Sequence, residues 1–139
     1  MKLEIPNNYY RTSVKALILD ETRTKFLILE EENHRYDFPG GGLDFGETPQ
    51  ECVARELKEE CGLTVTAVSD NPSFFLAMKK DNAEETWIVN VFYETTVANF
   101  NFTPSEECIA LKFASPKEVE NLDVYSSVTK FAEQFAKSL

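Results

Sequence analysis

The segment TPQECVARELKEECG, residues 48–62, carries the signals of a helix at both of its ends. Thr48 precedes Glu51 by three residues, which makes a capping box that satisfies free backbone N–H groups at a helix start. Pro49 suits the first helical position, because its fixed φ is helical and it has no N–H to leave unpaired. Gly62 suits the left-handed residue on which many helices end. The segment therefore predicts a single helix with a defined start and a defined end.

Three glutamates share one face of this predicted helix, Pro49–Cys61. With about 100° per residue, Glu59 and Glu60 lie on either side of Glu56. Glu56 and Glu60, four residues apart, repel each other. Arg55 can form an ion pair with Glu59 at the same spacing. The apolar face that packs on the core is predicted beside the glutamates, at Val53, Ala54, Leu57 and Cys61.

A run of charges such as this one is usually a solvated surface. Here, however, the run borders an apolar face and contains a like-charge pair, so solvation alone explains it poorly. A hard divalent cation would compensate the repulsion, and a cluster of carboxylate oxygens suits Mg²⁺ or Mn²⁺ rather than zinc. The residues alone thus predict a metal site on this helix, with a solvated surface as the alternative.

The composition limits the classes of protein that fit. The chain has 139 residues, of which 42% are hydrophobic and 27% charged, as is typical of a globular domain. With 24 acidic and 14 basic residues, its formal net charge is −10. A nucleic-acid partner is not expected, because phosphate backbones require clustered Lys and Arg. A small phosphorylated substrate remains compatible, since a divalent cation can mediate between carboxylates and phosphates.

The sequence also bears on location and domain number. No apolar run approaches the length that crosses a bilayer, and the N-terminal stretch MKLEIPNNYY lacks the apolar core of a signal peptide. Cys52, Cys61 and Cys108 are an odd set without C-x-x-C spacing, which favours a reducing compartment over disulfides. We therefore expect a cytoplasmic protein without a membrane segment. The absence of repeats and linkers predicts one domain over residues 1–139.

Apolar runs on both sides of the helix predict strands. They cover Ser13–Asp20, Lys25–Glu30, Leu63–Val68, Phe74–Met78, Thr86–Val97 and Ile109–Ala114. The first two runs are separated only by a short polar stretch and are expected to form a hairpin. Pro39–Gly42 is expected to be a loop with demanding backbone geometry.

Two further helices are predicted near the C-terminal end. Ser115 caps a short helix with proline in its first turn. Val124–Leu139 has the pattern of an amphipathic helix. Its apolar face is predicted at Val128, Phe131, Phe135 and Leu139. Strands with a few helices, not in strict alternation, favour an α/β fold in which helices cover a mixed sheet.

The residues around the first helix resemble the signature of the Nudix hydrolases, GX5EX7REUXEEXGU, in which U is a bulky aliphatic residue. Gly41 is followed after five residues by Glu47, and after seven more by the run RELKEECGL. Every specified position from Gly41 to Leu63 is filled. The resemblance, to MutT-like proteins of this family, implies a Nudix-type α/β/α sandwich with a mixed β-sheet between helices.

The resemblance also implies roles for individual residues. Glu56, Glu59 and Glu60 would be ligands of Mg²⁺ or Mn²⁺, and the carbonyl of Gly40 is a further candidate ligand. Arg55 would hold a catalytic glutamate through a salt bridge. In addition, Glu47 would lie near the metal or orient water. The general base stays open: it could be Glu56 or Glu60, or an acidic residue outside the signature, at Glu106 or Glu107.

The implied reaction is hydrolysis of a pyrophosphate linkage in a nucleoside diphosphate joined to another moiety. A nucleoside triphosphate or a nucleoside diphosphate derivative is the expected small-molecule partner, and a homodimer is compatible with the family. Lys79 stands where some subfamilies carry a marker proline or tyrosine, so no subfamily is indicated. Base-stacking candidates, each with a core position as its alternative, are Phe74, Phe75, Trp87, Phe92 and Tyr93.

Three alternatives remain compatible with a resemblance of this kind. An isomerase of the same fold would use dedicated cysteine and glutamate residues, for which Cys52 and Cys61 are formal candidates. A non-catalytic nucleotide-sensing module would usually carry a degraded signature. Removal of pyrophosphate from the 5′ end of RNA would be the same chemistry on another substrate. The filled signature favours the hydrolase over the first two.

Overall fold

The computed structural model describes residues 9–81 and 85–139, so most of the stretch MKLEIPNNYY lies outside the described residues. The described elements, in chain order, are β1 (Tyr10–Leu17), β2 (Phe26–Glu30), β3 (Tyr36–Asp37), β4 (Gly40–Gly42), α1 (Pro49–Cys61), β5 (Val65–Val68), β6 (Phe74–Lys79), β7 (Trp87–Val97), β8 (Ala110–Ala114), α2 (Pro116–Val119) and α3 (Ser126–Ser138). Among these residues, no helix combines the length and apolar character that a membrane crossing requires.

Helix α1 has the limits that its sequence signals predict. The Oγ1 atom of Thr48 accepts a hydrogen bond from the backbone N–H of Glu51 at 3.1 Å. In return, the carboxylate of Glu51 accepts one from the N–H of Thr48 at 3.0 Å. The helix ends at Gly62, whose φ of 69° lies in the left-handed region. The predicted capping box and C-terminal glycine are therefore confirmed.

The strands divide between two sheets. One sheet has the order β4-β1-β7-β5, and β6 also pairs with β7. Its β1–β7 pair is parallel and its other pairs are antiparallel, so this sheet is mixed. The second sheet is antiparallel, with the order β3-β2-β8.

The predicted hairpin between the first two strands is wrong. Strand β1 lies between β4 and β7, so both of its edges are already paired, and β2 joins the other sheet. The two strands meet only at an isolated antiparallel bridge between Leu19 and Phe26. A short polar turn therefore carries the chain from one sheet to the next rather than along one ladder.

Helices cover both faces of these sheets. Leu27 and Leu29 of β2 belong to the core cluster that contains α1. Phe26 and Ile28, which alternate with them, belong to the cluster that contains α2 and α3. Because successive strand residues point to opposite faces, the two clusters lie on opposite sides of the strand. The predicted α/β class and its layered arrangement are thus confirmed, with the strands in two sheets.

Helix α3 packs on the sheet through phenylalanine rings. The ring of Phe131 lies 4.5 Å from that of Phe92 and 4.8 Å from that of Phe38, measured between centroids. Such offset and edge contacts stabilise aromatic cores beyond area burial. The predicted apolar face is correct except at Leu139, which follows the end of the helix and is 66% exposed. The helix stops one residue earlier than its spacing pattern.

The glycines expected in a loop form strand β4 instead. Gly40, Gly41 and Gly42 pair with β1, with Gly40 opposite Lys15. Gly40 has a φ of 132°, and a Cβ there would lie 2.2 Å from the carbonyl oxygen of Val14. Only glycine fits so close to a neighbouring backbone. The glycine strand also lies against α1, where Gly40 contacts Glu60 and Gly42 lies near Cys52.

Candidate active site

The buried face of α1 includes more of the glutamate side of the helix than the sequence predicted. The buried residues of the helix are Cys52, Val53, Leu57, Glu60 and Cys61. Ala54, predicted on this face, is exposed. The reason is the position of strand β4, which covers the glutamate side of the helix. The thiol of Cys52 accordingly lies 3.5 Å from the carbonyl oxygen of Gly42.

The carboxylate of Glu60 is the most deeply buried of the predicted ligands. Glu60 is 9% exposed, and its Oε1 accepts a hydrogen bond from the backbone N–H of Gly40 at 2.8 Å. Burial raises the pKa of Glu60 to about 8, although the Gly40 N–H and the charge of Lys15 lower it. The charges of Glu56 and Glu107 raise it further. Among the described residues, no cationic side chain lies within 4.0 Å of this carboxylate.

The carboxylate of Glu56 rests against strand β4. A Cβ at Gly41 would lie 2.6 Å from the Cδ atom of Glu56, so the missing side chain makes room for this carboxylate. The Oε1 atom of Glu56 also accepts a hydrogen bond from Arg55 at 2.9 Å. A glycine at this signature position therefore has a local reason, because any larger residue would displace a predicted metal ligand.

Arg55 joins the acidic residues on the outer side of the site. Its guanidinium forms a two-pronged pair with Glu47, at 2.7 Å from Nη2 to Oε1 and 3.1 Å from Nε to Oε2. The same group donates to the carbonyl of Gly42 at 3.1 Å. The predicted pair with Glu59 is present but longer, at 3.3 Å. Arg55 thus ties the segment before the helix to the glycine strand and to the helix itself.

Glu47 is held in its ionised form by its hydrogen bonds. The hydrogen bond from Arg55, followed by one from the backbone N–H of Asp44, lowers the pKa of Glu47 to about 2. The arginine in turn has its pKa raised, chiefly by Glu47. The role that the resemblance implied for Glu47, near a metal or orienting water, stays a prediction. The contacts suit a residue that positions Arg55.

The site's donor set fits a hard cation. Glu56, Glu59, Glu60 and the Gly40 carbonyl offer only oxygen atoms, as Mg²⁺, Mn²⁺ and Ca²⁺ prefer. In residues 9–81 and 85–139, no three His, Cys, Asp or Glu side chains are already gathered as a metal site. Instead, Arg55 pairs with two of these glutamates and Gly40 with the third.

Two acidic candidates lie outside the helix. Both Glu106 and Glu107 are exposed, in the turn before β8. The charge of Glu107 contributes to the raised pKa of Glu60. Ser105, next to them, donates a hydrogen bond to the backbone carbonyl of Glu60 at 2.6 Å. The turn thus lies beside the last turn of α1.

A cavity of about 360 Å³ lies on the α3 side of the sheet, and none of the glutamates of α1 lines it. Lys15 and Gly42 line it, and both also act on the glutamate cluster, through Glu60 and Arg55 respectively. The cavity is also lined by Asn90, in the middle of β7. None of the five aromatic residues predicted to stack on a base lines it. Phe92 and Tyr93 are core residues, which is the alternative predicted for them.

Sequence reasoning missed Asn90, although a signal for it was present. Asn is depleted in strands, and Asn90 interrupts the β-branched and aromatic run TWIVNVFY. Tyr125 and Asp81, which also line the cavity, gave no comparable signal because they come from loops distant in sequence. Lys80 also lines the cavity. His34 does not line it and lies on an exposed turn, with its Nδ1 atom 2.8 Å from Oε2 of Glu30.

Comparison with known proteins identifies similar sequences and similar structures. The RNA pyrophosphohydrolase of Vibrio atlanticus (strain LGP32) is 40% identical over 60 residues, 43% of this chain and 35% of that protein. The chain thus matches about a third of the length of such curated relatives. A MutT protein from Methanosarcina mazei Go1 superposes with a TM-score of 0.77, at 24% identity over 96% of this chain and 98% of that one.

A second solved structure agrees in fold. An ADP-ribose pyrophosphatase from Streptococcus suis 89-1591 has a TM-score of 0.64 and 24% identity, over 92% of this chain and 88% of that one. At these identities the two structures support the fold alone. The model of the NUDIX domain, however, matches residues 9–135, which is most of the sequence. The chain therefore belongs to the Nudix family.

Proposed function

We propose that this protein is a metal-dependent pyrophosphohydrolase that cleaves a nucleoside diphosphate derivative, with Mg²⁺ or Mn²⁺ as its cation. The observation that carries the proposal is the carboxylate of Glu60, buried beside two further glutamates with no ion pair among the described residues. Burying an unpaired carboxylate is costly unless a cation or a proton compensates it. A fold that maintains such a group suits a cation-binding site.

The side chains of Glu56, Glu59 and Glu60, with the carbonyl of Gly40, would hold the cation. Enzymes of the Nudix family generally use a divalent metal. When bound, the cation would supply the positive charge that neutralises the oxygens of a pyrophosphate group. The backbone N–H of Gly40 orients Glu60, and Gly41 leaves room for Glu56.

Proton transfer would fall to a carboxylate other than that of Glu47. Glu47 is unsuited, since its pair with Arg55 keeps its pKa at about 2. Glu56 and Glu60 remain candidates for the general base, as do Glu106 and Glu107 in the adjacent turn. Arg55 and Glu47 would act together as positioning residues, because their contacts join the glycine strand to the helix.

The proposed substrate is a small nucleotide, a nucleoside triphosphate or a nucleoside diphosphate derivative. The cavity on the α3 side of the sheet favours it, because its 360 Å³ falls within the range of about 300–1,000 Å³ typical of small-molecule sites. A second candidate follows from the RNA pyrophosphohydrolases among the relatives. The net charge of −10 disfavours a long RNA but not a short 5′ end.

Two other readings are less compatible with the residues. An isomerase that used Cys52 would need a reactive thiol, but burial raises the pKa of Cys52 to about 12. Cys61 is buried as well. A non-catalytic nucleotide sensor would bind nucleotide and cation without turnover, so it differs from the proposal in one measurable property.

The test is product release from a panel of nucleotides with Mg²⁺ or Mn²⁺, each with and without EDTA. The panel contains nucleoside triphosphates, ADP-ribose, a dinucleoside polyphosphate, a nucleotide sugar and a short 5′-triphosphate RNA. Glu60→Gln is assayed alongside Glu133→Gln, an exposed control on α3. Metal-dependent cleavage that Glu60→Gln abolishes and the control retains is the expected result. Binding of nucleotide with no cleavage of any substrate would favour the sensor.

The remaining parts of the proposal concern the whole protein. We propose a single Nudix domain over residues 1–139, a cytoplasmic location, and a nucleotide rather than a membrane or nucleic acid as partner. A homodimer stays open. Size-exclusion chromatography with light scattering would measure the oligomeric state, and limited proteolysis would test for a second folded unit.

A further inference from the structure

Asn90 has a buried side chain that the fold does not use. The residue is 0% exposed, and it lines the cavity on the α3 side of the sheet. Neither its Nδ2 nor its Oδ1 has a hydrogen-bond partner within residues 9–81 and 85–139. Buried amides in folded proteins are almost always hydrogen-bonded, and an unsatisfied one destabilises the fold. Asn90 is therefore poorly explained as a structural residue.

The neighbours of Asn90 in the sheet, one of them polar, make no hydrogen bond with its amide. Its partners across the ladders are Ser13 of β1 and Leu76 of β6. Next to it on the same face of the sheet, Ile88 pairs with Met78, so an apolar strip adjoins the amide. A planar amide beside an apolar strip is suited to a flat ring with polar groups along one edge.

The cavity lies in the right place to receive part of the proposed substrate. Lys15 lines the cavity and its charge acts on Glu60, while Gly42 lines the cavity and accepts from Arg55. A substrate whose phosphates reached the glutamates would therefore extend into the cavity with its remaining moiety. Tyr125 adds an aromatic ring to the wall.

We propose that Asn90 recognises the nucleobase of the substrate. Its Nδ2 group donates to an acceptor on the edge of the base, and its Oδ1 accepts from the adjacent N–H. An amide can make this paired contact with the edge of a nucleobase, and Asn does so with bases elsewhere. The apolar strip of Ile88 and Met78 contacts the face of the ring. This inference rests on the proposed function, since it assumes a nucleotide at this site.

Base recognition is distinguishable from contact with the sugar. The base makes a two-atom contact whose donor and acceptor order differs from base to base, so Asn90 should set base preference. A contact with ribose hydroxyls would be the same for every base. Asn90→Leu removes both polar atoms at similar size, and Asn90→Asp keeps the acceptor alone. Asn121→Leu, at an exposed position, is the matched control.

The first experiment measures kcat and KM for ATP, GTP, CTP and UTP with each variant. We expect the wild type to prefer one base. Asn90→Leu should raise KM for that nucleotide roughly 10- to 100-fold, with kcat changed little, because the contact does not involve the reacting phosphates. In Asn90→Leu, the ratio of kcat/KM between the preferred nucleotide and the others should fall to within a few-fold. Asn121→Leu should leave this ratio unchanged. An unaltered base ratio in Asn90→Leu would overturn the inference.

A second experiment is independent of turnover. Calorimetry in EDTA measures binding of AMP, GMP, CMP and UMP, which lack the pyrophosphate group. If the protein hydrolyses nothing but Asn90→Leu still loses mononucleotide binding, the inference stands while the proposed function fails. If the protein hydrolyses nucleotides and Asn90→Leu changes neither mononucleotide binding nor the base ratio, the proposed function stands while the inference fails. Equal losses for all four bases would indicate a sugar contact and overturn base recognition.

A third measurement avoids dependence on the folding of a variant. In ¹⁵N,¹³C-labelled wild-type protein, the Asn90 side-chain NH₂ signals, assigned by triple-resonance spectra, should shift when the preferred mononucleotide is added. They should stay in place when ribose 5-phosphate is added at the same concentration. A shift with ribose 5-phosphate as large as that with the mononucleotide would contradict recognition of the base.

Discussion

Glu47, just before helix α1, and Glu60, in its last turn, are the same side chain in opposite surroundings. Arg55 holds Glu47 with two hydrogen bonds, and the pKa of Glu47 is lowered to about 2. Glu60 is buried against Gly40 without a cation, and its pKa is raised to about 8. One glutamate is already neutralised by the protein, and the other requires compensation from outside it. The comparison separates a carboxylate that is paired just before the helix from one in its last turn that no described cationic side chain pairs.

Glu60→Gln should give the largest effect on activity. The amide can still accept the hydrogen bond from Gly40, but it removes the negative charge proposed to hold the cation. We expect turnover to fall by roughly three orders of magnitude, and Glu59→Gln to cause a loss of the same kind. The free energy of unfolding should change little in Glu60→Gln without metal at pH 7, because a carboxyl group with a pKa of about 8 is largely protonated there and the amide keeps the contact with Gly40.

This prediction is checked by steady-state kinetics and by thermal melts with Mg²⁺ and with EDTA. Metal should raise the Tm of the wild type, since a ligand that binds only the folded state stabilises it. It should raise the Tm of Glu60→Gln much less. Wild-type rates in both glutamine variants would show that the cation is not held here.

Substitutions at Arg55 test the role of its pair with Glu47. Arg55→Lys keeps the charge but cannot make the two-pronged contact with Glu47. We expect a loss in kcat of about 10- to 100-fold, because residues that orient ligands typically contribute that much. Glu47→Gln, which removes the partner's charge, should give a loss of similar size. A double variant no worse than either single variant would show that the two residues act as one unit.

Gly41 and Gly42 allow a matched test of the glycine strand. A Cβ at Gly41 would meet the carboxyl group of Glu56 at 2.6 Å, whereas one at Gly42 meets nothing nearer than an Arg11 nitrogen at 3.8 Å. Because the displaced atoms are the flexible end of a side chain, Gly41→Ala should fold. We expect its kcat to fall about 10- to 100-fold by moving one ligand, while Gly42→Ala keeps its activity. Equal rates in the two variants would contradict this placement of Glu56.

The sequence predicted the helix far better than its surroundings. The limits of α1 follow from local signals at Thr48 and Gly62, which act within one turn of chain. The hairpin prediction failed because strand pairing depends on which edges other strands occupy, and β1 pairs with β7, whose residues lie 77 positions further along the chain. The pattern of β1 alone contains no information about that partner.

The site shows the same division. The predicted glutamates do lie on one face, but the depth of Glu60 depends on β4, which the glycines had suggested to be a loop. The pair of Glu47 with Arg55 spans eight residues and a change from loop to helix, so helical spacing did not predict it. The cavity and the Asn90 amide were missed, because the lining residues come from six elements and the loops between them.

The smallest expected effect lies at the far wall of the cavity, where Asp81 caps helix α3. Its carboxylate accepts from the backbone N–H of Ser126 at 3.0 Å and from the Ser126 hydroxyl. Burial raises the pKa of Asp81, but these hydrogen bonds and the charge of Arg35 outweigh it, so the net pKa is lowered from 3.8. Asp81→Ala should therefore reduce the free energy of unfolding by about 1 kcal/mol, as loss of a helix cap does.

The pH dependence of this effect has a definite sign. A carboxyl group whose pKa is lower in the folded state stabilises the fold fully above its unfolded-state pKa, near 3.8. That contribution is lost as the pH falls through the lower folded-state value. Urea unfolding of wild type and Asp81→Ala should thus differ by a constant amount from pH 7 to pH 5, and the difference should shrink below pH 4. A difference that stayed constant to pH 2 would mean that the cap does not depend on the charge of Asp81.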